Sequence, residues 1–247
     1  MNPLRLVLLG YGRMGAAIET VATERGHVIV LRVRSSEPVK CDTLHQADVA
    51  LDFSRADAVL DHVALCAAAG VPLVIGTTGW RDDTATLEHA AERIGIIVGA
   101  NFSIGVAVVV RLAALLAEYA TPGLGYQLHV HEVHHRAKRD APSGTALLLA
   151  RTLAQHSPTH RPIVTESEPP IAPDAITLSA ARVGTVVGTH TVTADSEADT
   201  IEISHAAKSR RGFALGAVLA AEWIVGRRGM YHFADHAFDI VAMASVR

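Results

Sequence analysis

Apolar residues in the first hundred positions fall into short continuous runs, separated by longer stretches with helical spacing. "LRLVLLG" (4–10), "HVIVLRV" (27–33), "ADVALDF" (47–53), "VPLVIGTTG" (71–79) and "GIIVGANF" (95–102) are the runs. Runs of this length, rich in Val, Ile and Leu, predict parallel strands buried on both faces. Between them, "RMGAAIETVATERG" (13–26), "ADAVLDHVALCAAAG" (56–70) and residues 82–94 have helical spacing, and the first two close on Gly26 and Gly70. Glycine just past the last turn is a helix-stop signal. Strand and helix alternating at this spacing predict right-handed βαβ units, hence an α/β fold with a Rossmann-like doubly wound parallel sheet.

The pattern changes after residue 104. A long helix is predicted over 105–119, and "YQLHVHEVHH" (126–135) alternates like a half-exposed strand, with His129 and His131 on one face. A helix over 145–156 and a Pro-rich loop (157–173) precede "AITLSAARVGTVVGTHTVTAD" (175–195) and "DTIEISHAA" (199–207), both strand material. Strands grouped in this way predict a second domain of α+β type with a mostly antiparallel sheet. "GFALGAVLAAEWIVGR" (212–227) is helical again and expected to return to the first domain. The expected division is therefore 1–103 with 212–247, and 104–211.

Composition narrows the function classes. The 247 residues are 49% hydrophobic and 19% charged, a globular balance, and the formal charge of −3 gives no global attraction to DNA or anionic membranes. Aromatics at 4% leave little surface for stacking bases, so no nucleic-acid partner is expected. Cys41 and Cys66 are too few for a disulfide framework and read as reduced structural residues. "IGVAVVVRLAALLA" (104–117) is interrupted by Arg111 and falls short of the ~20 residues that span a bilayer. "MNPLRLVLLG" runs into "GYGRMG" where a leader would be cleaved, which favours a buried strand and a cytoplasmic protein with no membrane partner.

Ligands on doubly wound sheets bind beyond the carboxyl ends of the strands. There this chain places "GYGRMG", "RSS", "DFSR", "GTTG" and "NFS", all small or polar. Gly10, Gly12 and Gly15 form G-x-G-x-x-G between a strand and a helix. Glycines there permit the tight turn, the approach of a pyrophosphate and close helix–strand packing. The loop Gly10, Tyr11, Gly12, Arg13, Met14, Gly15 is therefore the expected dinucleotide site. Where NAD-binding chains place an acid after the second strand, this one has Arg32, Arg34, Ser35 and Ser36, with Glu37 late. An arginine fork suits a 2′-phosphate, so NADPH is expected to be preferred, with NADH the alternative; the alternative for Arg32 and Arg34 is plain solvation.

The densest chemistry lies in "EVHHRAKRDAPSGTALLLA" (132–150). "HEVHH" is not H-E-x-x-H on a helix and no suitable cysteine pair accompanies it, so a metal is not expected; His129 and His131 read as sheet-face residues. A histidine exchanges protons near neutral pH, and a nearby lysine holds an anion or donates a proton. Pro142-Ser143-Gly144-Thr145 leads into a helix, whose free amides and the Thr145 hydroxyl would cradle a carboxylate. Ordinary capping by Ser143 or Thr145 is compatible with that role.

"HHRAKRDAPSGTA" (134–146) closely resembles the signature of the 4-hydroxy-tetrahydrodipicolinate (dihydrodipicolinate) reductase family of bacterial lysine biosynthesis. The resemblance extends to "GYGRMG", "DFSR" (52–55), "GTTG" (76–79), "ANFSIGV" (100–106), "RVGTVVGTH" (182–190) and "SHAAKSRRGFALGAVLAA" (204–221), and so spans the chain. It implies NADPH- or NADH-dependent reduction of a cyclic dicarboxylic imine to tetrahydrodipicolinate, with loss of water from the hydroxylated substrate. By matching position, His134 is the proton donor/acceptor, Lys138 the second donor, and His135, Gly144 and Thr145 bind substrate carboxylate. Phe53, Arg55, Gly76, Thr77, Thr78, Ala100, Asn101, Phe102 and Ser103 fall at cofactor positions. The resemblance also implies a homotetramer joined through the second, substrate-binding domain. The rival readings are another small NAD(P)-dependent imine or amino-acid dehydrogenase, and a non-catalytic NAD(P)-sensing protein.

Overall fold

A computed structural model describes residues 2–34, 39, 41–80, 83–159, 161–165 and 169–245. Ser35, Ser36 and Glu37, to which the cofactor argument pointed, lie outside the described residues, as do the first residue of the 82–94 helix and parts of the 157–173 loop. The chain divides into two compact units, one holding the residues up to Ile104 and from Arg210 onward, the other Gly105–Ser209.

The first unit alternates as its pattern requires: β1 (Arg5–Leu9), α1 (Arg13–Glu24), β2 (Val28–Val33), α2 (Cys41–Leu44), β3 (Val49–Asp52), α3 (Val59–Ala69), β4 (Leu73–Ile75), α4 (Thr84–Ala91) and β5 (Gly95–Val98). A one-turn 3₁₀ segment, Ala56–Ala58, leads into α3. Gly26 (φ +84°) and Gly70 (φ +71°) end α1 and α3 in the left-handed region, where a side chain is disfavoured. Asp83 caps α4, accepting a hydrogen bond from the Thr86 amide.

The second unit contributes α5 (Ile104–Glu118, begun at the boundary), β6 (Gln127–His134), α6 (Gly144–His156), β7 (Ile163–Val164), β8 (Ile176–Arg182), β9 (Thr189–Asp195) and β10 (Thr200–Ala206). The chain then returns to the first unit as α7 (Arg211–Ile224), β11 (Gly229–His232) and α8 (Phe233–Ser245). The sequence pattern pointed to α7, but not to β11 or α8.

Six parallel strands form the first sheet in the order β11-β5-β4-β3-β1-β2. Val7, Leu9, Ala50, Leu73, Ile75 and Ile96 face Val59, Val63 and Cys66 of α3 and Leu87 of α4. Their neighbours Leu6, Leu8, Leu51, Val74 and Ile97 are equally buried, as α1 and α7 cover the second face. That double burial is why the strands read as unbroken apolar runs. Helix α7 is buried from Gly216 to Ile224, and within it lies an acid, Glu222. Its carboxylate receives Arg25 Nε (2.6 Å) and Nη2 (2.9 Å) and lies 2.9 Å from His27 Nε2, whose Nδ1 accepts from the Leu4 amide. Burial works to raise the Glu222 carboxyl, but His27 and Arg25 outweigh it and hold it down near 2.

The second sheet runs β10-β9-β6-β8-β7. It is mixed where a mostly antiparallel one was expected. β10–β9 and β9–β6 are antiparallel, whereas β6–β8 and β8–β7 are parallel. The difference comes from α6, a crossover long enough to return the chain to the start of the sheet, as parallel pairing requires. Helices α5 (Val109, Ala113, Leu116) and α6 (Ala146, Leu149, Leu153) cover the face formed by Leu128, Val130, Ile176, Leu178, Val192 and Ala194. The opposite face carries half-buried polar residues, among them His129 and His131. Among the described residues no helix is long and apolar enough to cross a membrane.

Candidate active site

In the first unit, a cleft of about 240 Å³ opens beyond the carboxyl ends of β1, β2 and β3. Gly10, Val33, Arg34, Ser54, Arg55, Asp57, Asp61 and His62 line it. Each glycine of the loop has its own reason. Gly10 has φ +99°, and a Cβ there would meet the Phe53 carbonyl oxygen at 2.3 Å; a Cβ on Gly15 would meet the Gly10 carbonyl oxygen at 2.5 Å. A Cβ on Gly12 would point into open space, and Gly12 caps α1 with no side-chain hydrogen bond to its first amides. Tyr11, Arg13 and Met14 fill the loop between them, and the uncapped helix end suits a pyrophosphate. The chain's own residues thus fit a dinucleotide.

Of Arg32, within β2, and Arg34, just beyond it, only Arg34 lines the cleft. Arg32 is exposed to solvent and paired there: its guanidinium meets Glu19 of α1, which also takes the Tyr11 hydroxyl. Hydrogen bonds from Arg32 and Tyr11 hold the Glu19 carboxyl near 2. Arg55 lies at the rim, paired with Asp57.

Behind the cleft, Asp52 is fully buried. Its Oδ1 accepts from Ser54 N (3.0 Å), Ser54 Oγ (2.6 Å) and Thr77 Oγ1 (2.7 Å), and its Oδ2 lies 2.7 Å from His62 Nδ1. Thr77 therefore spends its hydroxyl on the network, while Thr78 and Ala100 are exposed. Gly76 is fixed by Phe53, whose ring atoms would lie 2.1 Å from a Cβ there. Phe102 is a core residue, 4.6 Å from the Phe233 ring centroid and 5.8 Å from that of Phe53, with its carbonyl oxygen packed on Gly216, so its role is to hold the loop and not to touch a ligand with its ring. Asn101 Oδ1 accepts from the Ser103 amide at 2.8 Å.

The second unit gathers the signature around a buried acid. Alternation along β6 puts Glu132 and His134 on the covered face with Leu128 and Val130, and His129 and His131 on the other. The latter two are sheet-face residues, 2.7 Å from Thr177 Oγ1 and 2.8 Å from Ser179 Oγ. Register supplies the rest: His134 pairs with Arg182 on β8, and Glu132 with His190 on β9. Glu132 Oε1 accepts from Arg182 Nη2 and the Ser143 amide, both at 2.9 Å. Glu132 Oε2 lies 3.3 Å from His134 Nδ1 and 3.5 Å from His190 Nε2.

Ser143 caps α6, its Oγ accepting from the Ala146 amide and lying 3.2 Å from His190 Nε2. Gly144 is exposed and Thr145 half-buried at the first turn of α6, and His135 is half-buried just past the end of β6. Lys138 pairs with Asp140 at 2.8 Å, and Arg182 also donates to the Asp140 carbonyl. Gly188 packs on His134, whose Nε2 would lie 2.9 Å from a Cβ there.

Burial holds His134 below the ordinary histidine value, with Lys138 and Arg182 adding to the effect and Glu132 and Asp140 opposing it. Burial likewise pushes His190 down to about 4. Burial favours a raised Glu132 carboxyl, but Ser143 and Arg182 stabilise the anion and lower it. Ligating atoms of Glu132, His134 and His190 lie within 4.8 Å of one another, spacing that a metal would tolerate. Arg182 already supplies their positive charge.

Glu132, Arg182, Gly188, His190 and Asp52 lie in motifs that the sequence singles out but received no individual role there, and His62 lies outside them. The available signal was an acid at an inward parity position of β6, and another ending the apolar run of β3.

A glycine-loop parallel sheet and a separate unit presenting buried histidines, a lysine and a helix N-terminus define an NAD(P)H-dependent oxidoreductase. The chain belongs to the dihydrodipicolinate reductase family, its N-terminal model matching residues 4–102 and its C-terminal model residues 105–236. It is 39% identical over 242 residues to the 4-hydroxy-tetrahydrodipicolinate reductase of Christiangramia forsetii, covering 96% of this chain and 99% of that one. With the enzyme of the same name from Myxococcus xanthus it shares 40% over 221 residues, 87% of this chain and 80% of that one. Its fold is similar to that of a dipicolinate-bound dihydrodipicolinate reductase from Paenisporosarcina sp. TG-14 (TM-score 0.78, 22% identity, 94% and 99% covered). Neither rival reading is favoured by these matches.

Proposed function

We propose that the chain reduces 4-hydroxy-tetrahydrodipicolinate to tetrahydrodipicolinate in the diaminopimelate route to lysine, with the first unit binding cofactor and the second binding substrate. The observation that carries this is the complete signature standing on one buried framework, in a chain related over nearly its whole length to reductases of that name. A bound nicotinamide dinucleotide supplies the hydride. Gly10 to Gly15 and the start of α1 hold its pyrophosphate, with Phe53, Arg55, Gly76, Thr77, Thr78 and Ala100 to Ser103 completing its site.

In the second unit His135, the Gly144 amide and Thr145 grip a substrate carboxylate, where the helix N-terminus favours an anion. The hydroxylated ring loses water and accepts the hydride at a conjugated carbon, leaving an enamine-like anion. His134, protonated and stabilised by Glu132, donates the proton that the adjacent carbon needs, and Lys138 is the second donor. Cofactor oxidation with freshly generated substrate, inhibited by pyridine-2,6-dicarboxylate, tests the reading. Absence of turnover by folded protein overturns it.

Arg34 in the cleft supports a preference for NADPH over NADH, while Asp61, which also lines it, would suit a ribose hydroxyl and keeps NADH as the alternative. The ratio of kcat/KM for the two cofactors is expected to favour NADPH, and Arg34→Ala to lower that ratio about tenfold. The polar, half-buried face of the second sheet supports a homotetramer joined there, which light scattering would detect. A soluble biosynthetic role fits the cytoplasm.

A further inference from the structure

We propose that Glu132 is the positioning residue of this site, orienting His134 through one carboxylate oxygen and holding the Gly144–Thr145 cradle through the other. The proposal rests on the reductase reading for the identity of the substrate, but not for its geometry. Glu132 is fully buried, and an ionised carboxylate in such a place persists only where donors surround it. The groups that face it here come from four separate pieces of chain, and two of them donate hydrogen bonds. Ser143 N and Arg182 Nη2 take Oε1, each at 2.9 Å. His134 Nδ1 and His190 Nε2 stand at ion-pair distance from Oε2, 3.3 and 3.5 Å, without closing a hydrogen bond to it.

Ser143 is the N-cap of α6, so the anchor that fixes its amide also sets where the first turn of that helix, Gly144 and Thr145, begins and points. The Arg182 guanidinium that pairs with Glu132 also donates to the Asp140 carbonyl, which tethers the Lys138–Asp140 segment to the same carboxylate. One acid thereby ties together proton donor, lysine segment and carboxylate cradle. The Glu132 charge, 3.3 Å from His134 Nδ1, favours a proton on that nitrogen and so directs exchange to Nε2. The ionisable groups around the imidazole are Glu132 on its own strand, Lys138 and Asp140 on the following loop, Arg182 on β8 and His190 on β9. Of these, Glu132 and Asp140 favour the imidazolium; Asp140 is exposed and already paired with Lys138.

The test is Glu132→Gln, which keeps the shape and an oxygen for the Ser143 amide but removes the charge. The His134 titration, read from its imidazole ¹⁵N shifts in the full-length protein, is expected to move down by about one pH unit. Descending limbs of the kcat–pH profile should move with it, so that kcat near neutral pH falls about tenfold while KM changes little. Glu132→Asp restores charge but shortens the anchor. It should recover the His134 midpoint and raise the substrate KM, and it is the fallback measurement should the glutamine variant not fold. A His134 midpoint unmoved in Glu132→Gln, or a Glu132→Asp protein with an unchanged KM, overturns the proposal. Failure of the reductase reading would show separately, as wild-type protein without turnover, because the ¹⁵N titration needs no substrate.

Discussion

His134 sits where its ring can do little except exchange a proton: Gly188 closes on one edge, Glu132 faces Nδ1, and burial disfavours a resting charge. His134→Ala and Lys138→Ala are each expected to lower kcat by about 100-fold or more. The cofactor dissociation constant should survive both changes, since the glycine loop belongs to the other unit. Fluorescence titration with reduced cofactor would reveal the opposite case, in which both variants lose cofactor and the two side chains are structural. Gly188→Ala makes a sharper demand. The added methyl would lie 2.9 Å from Nε2 and 3.2 Å from Cδ2, so the imidazole must move by several tenths of an ångström. Loss of turnover with little change in unfolding midpoint is the expected outcome. An active Gly188→Ala enzyme would mean that the ring has other room.

At the scale of elements, strand parity and register build the site. One parity of β6 gives His129 and His131 to a polar face, and the other gives Glu132 and His134 to the covered one. A slip of one residue would exchange the two sets. The helix α6 then depends on its cap. Ser143 satisfies the Ala146 amide and lies beside His190, so Ser143→Ala is expected to cost about 1 kcal/mol of stability. Denaturant unfolding measures that cost. The same change should raise the substrate KM while leaving the cofactor KM alone, because the cap also shapes the cradle.

Across the whole chain, the return of α7 to the first unit closes a buried charge network between segments nearly 200 residues apart. Glu222 is held near 2, below the 4.5 of an unperturbed glutamate, by His27 and Arg25. A carboxyl depressed by folding stabilises the fold above its unfolded value, and that contribution is lost as pH falls through the folded one. Wild-type stability should therefore decline between about pH 4.5 and 2. In Glu222→Gln that part of the decline should be absent and the protein less stable at pH 7, as comparison of urea midpoints across pH would show. An equal acid slope in the variant would assign the decline to other carboxyls.

The sequence by itself determined the doubly wound sheet, because a strand buried on both faces needs an unbroken apolar run and a βαβ unit leaves no freedom of hand. It also determined the glycine loop, whose spacing has a steric reason at Gly10 and Gly15, and the signature around His134. Local pattern reached no further. That Arg32 turns to Glu19 while Arg34 lines the cleft depends on the packing of α1 against β2. That the second sheet is mixed depends on where α6 returns the chain. Above all, Glu132, Arg182 and His190 become one site only through pairings between strands some fifty residues apart, and no local periodicity records which strand will lie beside which.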